Sequence, residues 1–412
     1  MTGYNDKIKK FRNTILCGDV REKLKELPDE SVHCCVTSPP YFGFRDYGTA
    51  SWSGGDPNCN HVRDNKISTN CITGHKKQKT TGVSDAIYKH ICKKCGATRV
   101  DKQIGLEETP EDYIESLVGV FREVKRVLRR DGILWINIGD SYAQSGGSGT
   151  GDYALNHKQF GKTLQKETLQ TPRKAPKGLK PKDLIGIPWM LAFVLRKDGW
   201  YLRQDIIWHK PNPMPSSVTD RCTTAHEYVF LLSKSPKYFY DAEAIKEKAK
   251  TQGISTNKKY ANNIEIAGKT GHQSGLARMV IGEKVNKRSV WTVNVGAFKE
   301  NHFAVFPKKL ITPCIKAGTS LKGCCSNCGT PYERIVKDNK TIDWKSPCNC
   351  KKESVPCIIL DPFMGAGTTG IVALEYGQNY IGIELNPKYV KMAEKRIQKE
   401  KVKIDNSFGF II

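Results

Sequence analysis

The stretch Thr37-Ser38-Pro39-Pro40-Tyr41 constrains this chain more than any other, because it ends an apolar run, Val32 to Val36, with two consecutive prolines. Neither proline can donate to a sheet ladder, and both disfavour helix, so the strand must stop in a fixed, extended loop. The carboxyl edge of the strands is where open α/β sheets bind their ligands. This loop offers the Ser38 hydroxyl, a Pro39 carbonyl aimed by ring geometry, and the plane of Tyr41. Two acceptors beside a stacking face suit a flat ring that carries an exocyclic amine.

The 412 residues suffice for one large or two modest domains with a real core. Lys and Arg number 66 against 42 Asp and Glu, a formal net charge of +24. Such an excess predicts a polyanionic partner, since phosphate neutralisation dominates nucleic-acid affinity. The basic residues are spread along the chain, which favours a broad binding face over an appended arm. No apolar stretch reaches the length of a membrane helix, and Met1 to Asn13 lacks the apolar core of a signal peptide. A cytoplasmic protein with no membrane partner is expected. In that reducing compartment its 15 cysteines argue for metal or unpaired thiols, not for disulfides.

The chain opens with βαβ character: a strand from Asn13 to Cys17, Gly18-Asp19, a short helix carrying Leu24 and Leu27, then Val32–Val36. Thr109-Pro110-Glu111-Asp112 starts a helix whose stripe runs from Tyr113 to Leu128, with Gly132 just past its end. Ile133 to Ile138 follows as a buried strand. Residues Ser141 to Lys182, glycine-rich and then basic, predict a mobile loop able to close over substrate. An apolar helix over Asp183–Leu195 and strands over Trp200–Trp208 and Glu227–Ser233 come next. From Asp241 to Lys287 the chain is polar, basic and poorly periodic, and there a DNA-reading region is expected by position and charge.

Two cysteine constellations interrupt this order. Cys92-Lys93-Lys94-Cys95-Gly96 is a metal knuckle, and Cys59 with His61 would complete a Cys3His zinc site, with Cys71, His75 and His90 as rival ligands. Cys325-Ser326-Asn327-Cys328-Gly329, answered by Cys348-Asn349-Cys350, has zinc-ribbon spacing, and Cys324 could replace Cys325. Four protein ligands leave no open position, so both sites read as structural.

Near the end, a short strand from Cys357 to Leu360 leads into Asp361-Pro362-Phe363-Met364-Gly365-Ala366-Gly367-Thr368-Thr369-Gly370 and a helix. The glycines let the backbone turn under a cofactor and present amides at a helix start. Glu384 closes the next strand, where its two oxygens can take both hydroxyls of a ribose. The spacing also fits a dinucleotide fingerprint. However, Asp361 would repel a pyrophosphate, and the chain ends at Ile412, too soon after Gly370 to complete a dinucleotide sheet. The missing strands stand at the front.

Gly18-Asp19, Ser38-Pro39-Pro40-Tyr41, Asp361 to Gly367 and Glu384 together resemble the motifs of the beta-class, circularly permuted amino-methyltransferases of DNA, and the resemblance covers most of the chain. It implies a Rossmann-like α/β fold that binds S-adenosylmethionine (AdoMet), with zinc-binding inserts and a target-recognition region added. It further implies that Ser38, Pro39, Pro40 and Tyr41 are catalytic. Asp19 would lie near the adenine, Glu384 on the ribose, and Asp361, Phe363, Gly365, Gly367 and Thr368 along the cofactor loop. Phe306-Pro307-Lys308 resembles the segment covering the methionine end, so Phe306 and Lys308 join the cofactor set. Expected divisions are a first core piece to residue 50, a zinc insert over 51–105 and a second core piece over 106–240. Target recognition over 241–300, a cofactor-covering segment over 301–322, a zinc ribbon over 323–352 and a last core piece over 353–412 complete them.

The implied substrate is a base flipped out of double-stranded DNA. Ser at the head of the tetrad favours cytosine N4 within the family, with adenine N6 the alternative. A cognate restriction endonuclease and a second copy of the chain are further implied partners. A carbon-5 methylase would need a nucleophilic Cys after Pro, and Cys314, Cys348 and Cys357 are poorly placed for it. An RNA methyltransferase, or a DNA-binding scaffold without activity, remains a rival reading.

Overall fold

All six residues of the strand Val32–Thr37 are buried, the pattern of a strand covered by helices on both faces. The computed structural model describes residues 3–43, 49–61, 91–143, 178–216, 218–249, 253–254, 280–281, 284–296, 305–337, 340–346 and 348–408. Among these, eight strands form the central sheet: β1 (Thr14–Cys17), β2 (Val32–Thr37), β3 (Leu128–Ile138), β4 (Tyr201–His209), β5 (His226–Ser233), β6 (Val290–Thr292), β7 (Ile358–Asp361) and β8 (Asn379–Glu384). Their order across the sheet is β1-β8-β7-β2-β3-β5-β4-β6.

The two ends of the chain therefore interleave. β7 lies between β8 and β2 and runs parallel to both, with Leu360 facing Cys35 and Ile381. β1 closes that flank parallel to β8. On the other flank β3 is parallel to β2, and β5 is antiparallel to both β3 and β4. This is the permuted, Rossmann-like sheet that the motif order implied.

Helices cover both faces. On one side lie α1 (Val20–Glu26), α2 (Pro110–Val127) and α3 (Ile187–Lys197), burying Leu24, Leu117, Phe121, Val124 and Leu191. On the other lie α4 (Lys308–Gly318), α5 (Thr368–Glu375) and α6 (Pro387–Phe408), burying Ile311, Ile315, Val372 and Ile397. Thr109 caps α2 by accepting from the Asp112 N–H at 3.1 Å, as its Thr-Pro start predicts.

Two element boundaries are corrected. α2 does not end in a glycine cap: its Arg126 and Val127 carbonyls accept from Glu30 and Ser31, and the chain turns extended at Leu128. Gly132 accordingly sits inside β3, which starts at Leu128 and not at Ile133. The tail of the expected target-recognition stretch, Val290–Thr292, is an edge strand of the central sheet, parallel to β4. Most of the rest of that stretch, most of the loop predicted over 141–182, and Cys71, His75 and His90 lie outside the described residues.

Candidate active site

The carboxyl ends of β1, β2, β7 and β8 surround one cavity of about 300 Å³. β7 and β2 are the neighbours from which the chain departs in opposite directions, so the cavity occupies a topological switch point. Ser38, Pro39, Pro40 and Tyr41 line it from β2, and Gly365, Thr368 and Glu384 line it from β7, α5 and β8. Residues more than 300 positions apart thus share one wall-to-wall space.

The Ser38-Pro39-Pro40-Tyr41 turn is held from several sides. The Pro40 carbonyl accepts from the Tyr113 hydroxyl at 2.8 Å. The Tyr41 hydroxyl donates to Glu227 Oε2 at 2.6 Å. Burial first, and the Glu227 carboxylate second, push the Tyr41 phenol well above its ordinary pKa, so it stays a neutral donor. Glu227 also accepts from Asn137 Nδ2 at 3.1 Å and pairs with Lys210. The Tyr41 ring lies close on the backbone of Gly139, where a Cβ would stand 2.9 Å from Cε2, so no larger residue fits there without displacing the ring.

Glu227, Lys210 and Asn137 line the same cavity as Ser38, and none was singled out by sequence. For Lys210 a signal existed. β4 runs into His209-Lys210-Pro211-Asn212-Pro213, a second proline-punctuated strand end like the one after β2. Glu227 sits within a run that reads only as a strand, and nothing local marks it.

On the side of the glycine loop Phe363 lines the cavity from the turn after β7. Gly367, at φ +79°, starts α5, and a Cβ there would meet Ala393 of α6 at 2.9 Å. This glycine serves helix packing and is not among the cavity's lining residues. Asp361 also points inward. Its Oδ1 accepts from Thr37 Oγ1 at 2.7 Å and from the Phe363 N–H at 3.1 Å, and its Oδ2 accepts from Thr369 Oγ1 at 2.6 Å. Burial raises its pKa from 3.8 to about 6. The carboxylate thus ties β2 to the glycine loop from below, outside the cavity lining.

Glu384 lines the cavity, and each of its oxygens already takes one backbone amide: Oε2 from Gly365 at 2.9 Å and Oε1 from Asn386 at 2.8 Å. A carboxylate oxygen accepts more than one bond, so Glu384 shapes the loop and keeps acceptor capacity for a diol. Asp19 caps α1 and lines the cavity beside it. Its burial would raise the pKa, but two hydrogen bonds and an ion pair with Arg21 outweigh that and hold the carboxyl below its ordinary value. Thr368 Oγ1 is buried without a hydrogen-bond partner at the cavity wall. An unsatisfied hydroxyl beside a glycine turn and a buried acid is the donor set a polar, amino-acid-bearing nucleoside would complete. Phe306 lines the cavity, whereas Lys308 faces away and pairs with Glu375 and Glu400.

The cysteines gather as two sets. Cys59, His61, Cys92 and Cys95 form one, and Cys325, Cys328, Cys348 and Cys350 the other; in each, the four ligand atoms lie within 4.8 Å of one another. Cys325, not Cys324, joins the second set. Cys324 is buried with Cys357 and His33, where His33 Nδ1 accepts from the Ile358 N–H at 3.0 Å and Nε2 donates to the Gly329 carbonyl at 2.8 Å. Both imidazole nitrogens are engaged by backbone, and burial lowers the His33 pKa to about 3. That ring is a neutral clip between β2, β7 and the second cysteine set.

Residues 32–395 match the family described as DNA methylase, the N6/N4 type. The type II methyltransferase M.Cfr9I of Citrobacter freundii is 36% identical over 387 residues, 94% of this chain and 88% of that protein. The type II methyltransferase M.SmaI of Serratia marcescens is likewise 36% identical over 387 residues, 94% of this chain and 91% of its own. Among solved structures, the cytosine-N4-specific PvuII DNA methyltransferase aligns over 95% of this chain and 91% of its own, at 15% identity and a TM-score of 0.46.

Proposed function

The chain belongs to the DNA methylase family of N4/N6 amino-methyltransferases, and on that premise we propose that it transfers a methyl group from AdoMet to cytosine N4 in double-stranded DNA. The observation that carries the reading is the shared cavity: Ser38 and Tyr41 from the front of the chain face Gly365, Thr368 and Glu384 from its end. AdoMet is supported by the fit of those residues, with Asp19 toward the adenosine and Phe306 and Phe363 as apolar walls. When bound, it supplies an electrophilic sulfonium methyl.

The chain's own part is placement and polarisation. An aromatic amine is a weak nucleophile because its lone pair is spread into the ring. Ser38 Oγ and the Pro39 carbonyl would accept from the two N–H groups, draw the nitrogen toward tetrahedral geometry and localise that pair. Tyr41 would stack on the flipped base, its tilt fixed by Glu227 and Gly139. In-line placement of nitrogen and methyl then supplies much of the remaining acceleration. The methylated nitrogen carries a positive charge and sheds a proton readily, so no base of shifted pKa is needed.

Cytosine N4 rather than adenine N6 rests on Ser at the head of the tetrad. Type II relatives support a protective role beside a cognate endonuclease, and the +24 charge supports a DNA face. Two structural zinc ions, one in each cysteine set, complete the reading. The test is mass spectrometry of nucleosides from DNA of cells expressing the chain. N4-methylcytosine is expected. N6-methyladenine alone would reassign the base, and neither product would end the reading.

Glu227→Gln is expected to lower kcat about tenfold with little change in AdoMet affinity, because an amide accepts more weakly from Tyr41 and no longer balances Lys210. Equal losses in kcat and cofactor affinity would show that Glu227 holds the fold, not the ring.

A further inference from the structure

We propose that zinc held by Cys59, His61, Cys92 and Cys95 is a staple for one wall of the methyl-transfer cavity, so that this ion governs cofactor binding while the ion of the second set governs stability. The inference rests on the AdoMet reading of the cavity and adds a metal-dependent device to it.

The geometry of the first set is that of a metal site. A tetrahedral zinc with bonds of about 2.3 Å to sulfur and about 2.0 Å to nitrogen spaces its ligand atoms about 3.6 to 3.8 Å apart. Cys59 Sγ stands 3.8 Å from Cys92 Sγ, and Cys95 Sγ stands 3.6 Å from His61 Nδ1. The knuckle turn is closed by Gly96 donating to the Cys92 carbonyl at 2.7 Å, and the His61 N–H points at Cys59 Sγ at 3.4 Å. N–H donors aimed at sulfur suit a thiolate bound to metal. The His61 ring is also fixed, stacked on Trp52 at 4.2 Å.

Without an ion the part of this segment around the ligands, residues 51–61 and 91–100, has little to hold it. Among the described residues its core is Cys92 and Ala97, with Trp52, Cys59 and Cys95 packed around them, and its sheet is one antiparallel strand pair, Ser51–Ser53 with Thr98–Val100. A core of this size does not fold unaided. Yet both outer ends of the pair reach the cavity: Thr49 before it, and Lys102, Gln103 and Ile104 after it. The Lys102 carbonyl accepts from Arg21 at 3.1 Å, and Lys102 Nζ pairs with Glu22 at 2.7 Å, beside the Asp19 cap. The Gly105 carbonyl accepts from Gly43 at 2.9 Å, just past Tyr41. Ile104 is buried in the main core, so releasing the ligands loosens this wall at Thr49, Lys102 and Gln103, beside both the proposed adenosine end and the Ser38–Tyr41 turn.

The second set is anchored differently. Its knuckle carbonyls are taken by the body of the protein: Ser326 and Asn327 by the Asn5 and Tyr4 amides, Cys328 by Arg129, and Gly329 by His33. Losing that ion undoes contacts to Tyr4 and Asn5, β2 and β3 together.

The experiment uses the full chain with metal content by mass spectrometry, thermal unfolding, amide exchange and AdoMet titration calorimetry. Native protein is expected to hold two zinc ions. The Cys92→Ser/Cys95→Ser variant is expected to hold one and to unfold within a few degrees of native. Its exchange should rise over residues 98–105 but not over 355–385, and its AdoMet affinity should fall at least about tenfold, the scale of ordering one or two residues. Cys325→Ser is expected to lose most folded protein. Fewer than two ions in native protein, unchanged exchange over 98–105, or a collapsed melting transition in the double variant would each overturn the staple. Exchange reads the wall without cofactor, so a native protein that ignores AdoMet overturns the methyltransferase reading separately.

Discussion

Ser38→Ala is expected to slow methyl transfer by about 10²- to 10³-fold while AdoMet affinity stays within about twofold, the loss seen when one preorganised polar group is removed from a developing charge. The physical reason is where the hydroxyl acts. Ser38 lies at the cavity between the Thr37–Asp361 bond beneath it and the Pro39-Pro40 turn after it. Those neighbours fix the backbone, and the Tyr41 hydroxyl keeps Glu227 when its hydrogen bond with Ser38 is lost, so alanine removes an acceptor and one tie on the ring while the frame stands. The ground-state cofactor contacts proposed for Asp19, Thr368 and Glu384, which line the same cavity from other strands, are untouched. Single-turnover transfer of a labelled methyl group, beside calorimetric AdoMet binding, separates the two quantities. A rate within about threefold of native would mean that the amine is not polarised from Ser38, and the orientation of the base would have to be reversed.

How far the sequence reveals this site follows from what each residue depends on. Ser38 to Tyr41, Gly365 and Glu384 are legible because backbone rules alone place them at strand ends, and the sheet order then brings those ends together. The cysteine sets are legible because metal geometry requires close spacing in sequence. Glu227 and Asn137 are not, because their roles come from β5 lying beside β3 in register, Asn137 opposite Val229, a pairing no local pattern encodes. Asp361 illustrates the other failure. A carboxylate at a strand end reads as a ligand for the cofactor, but Thr37 and Thr369 enclose it from two elements. Its neighbours in space decide its job, and one of them is 324 positions away.

That enclosure makes Asp361 the most consequential buried acid described in the protein. Its pKa rises from 3.8 to about 6 because burial opposes the charge more than the hydroxyl and amide donors favour it. A carboxyl whose folded pKa exceeds its unfolded one contributes stability that is fully present below about pH 4 and is lost as pH rises through about 6. Two pKa units correspond to about 3 kcal/mol. Asp361→Asn removes the titration but keeps an acceptor for Thr37 or Thr369. The stability of native protein relative to this variant should therefore fall by about 3 kcal/mol between pH 4 and 6, and then level off. Asp361→Ala differs in kind. It leaves two buried hydroxyls and the Phe363 amide without their acceptor, a destabilisation of about 3 kcal/mol or more at pH 7, with AdoMet affinity reduced at least about tenfold as the glycine loop loosens from β2. Denaturant titrations of the three proteins across that pH range measure both effects. Parallel curves for native and Asn proteins would show that Asp361 ionises in the fold at its ordinary value, and a fall that continues past pH 7 would show that its bonds to Thr37 and Thr369 are those of a protonated acid.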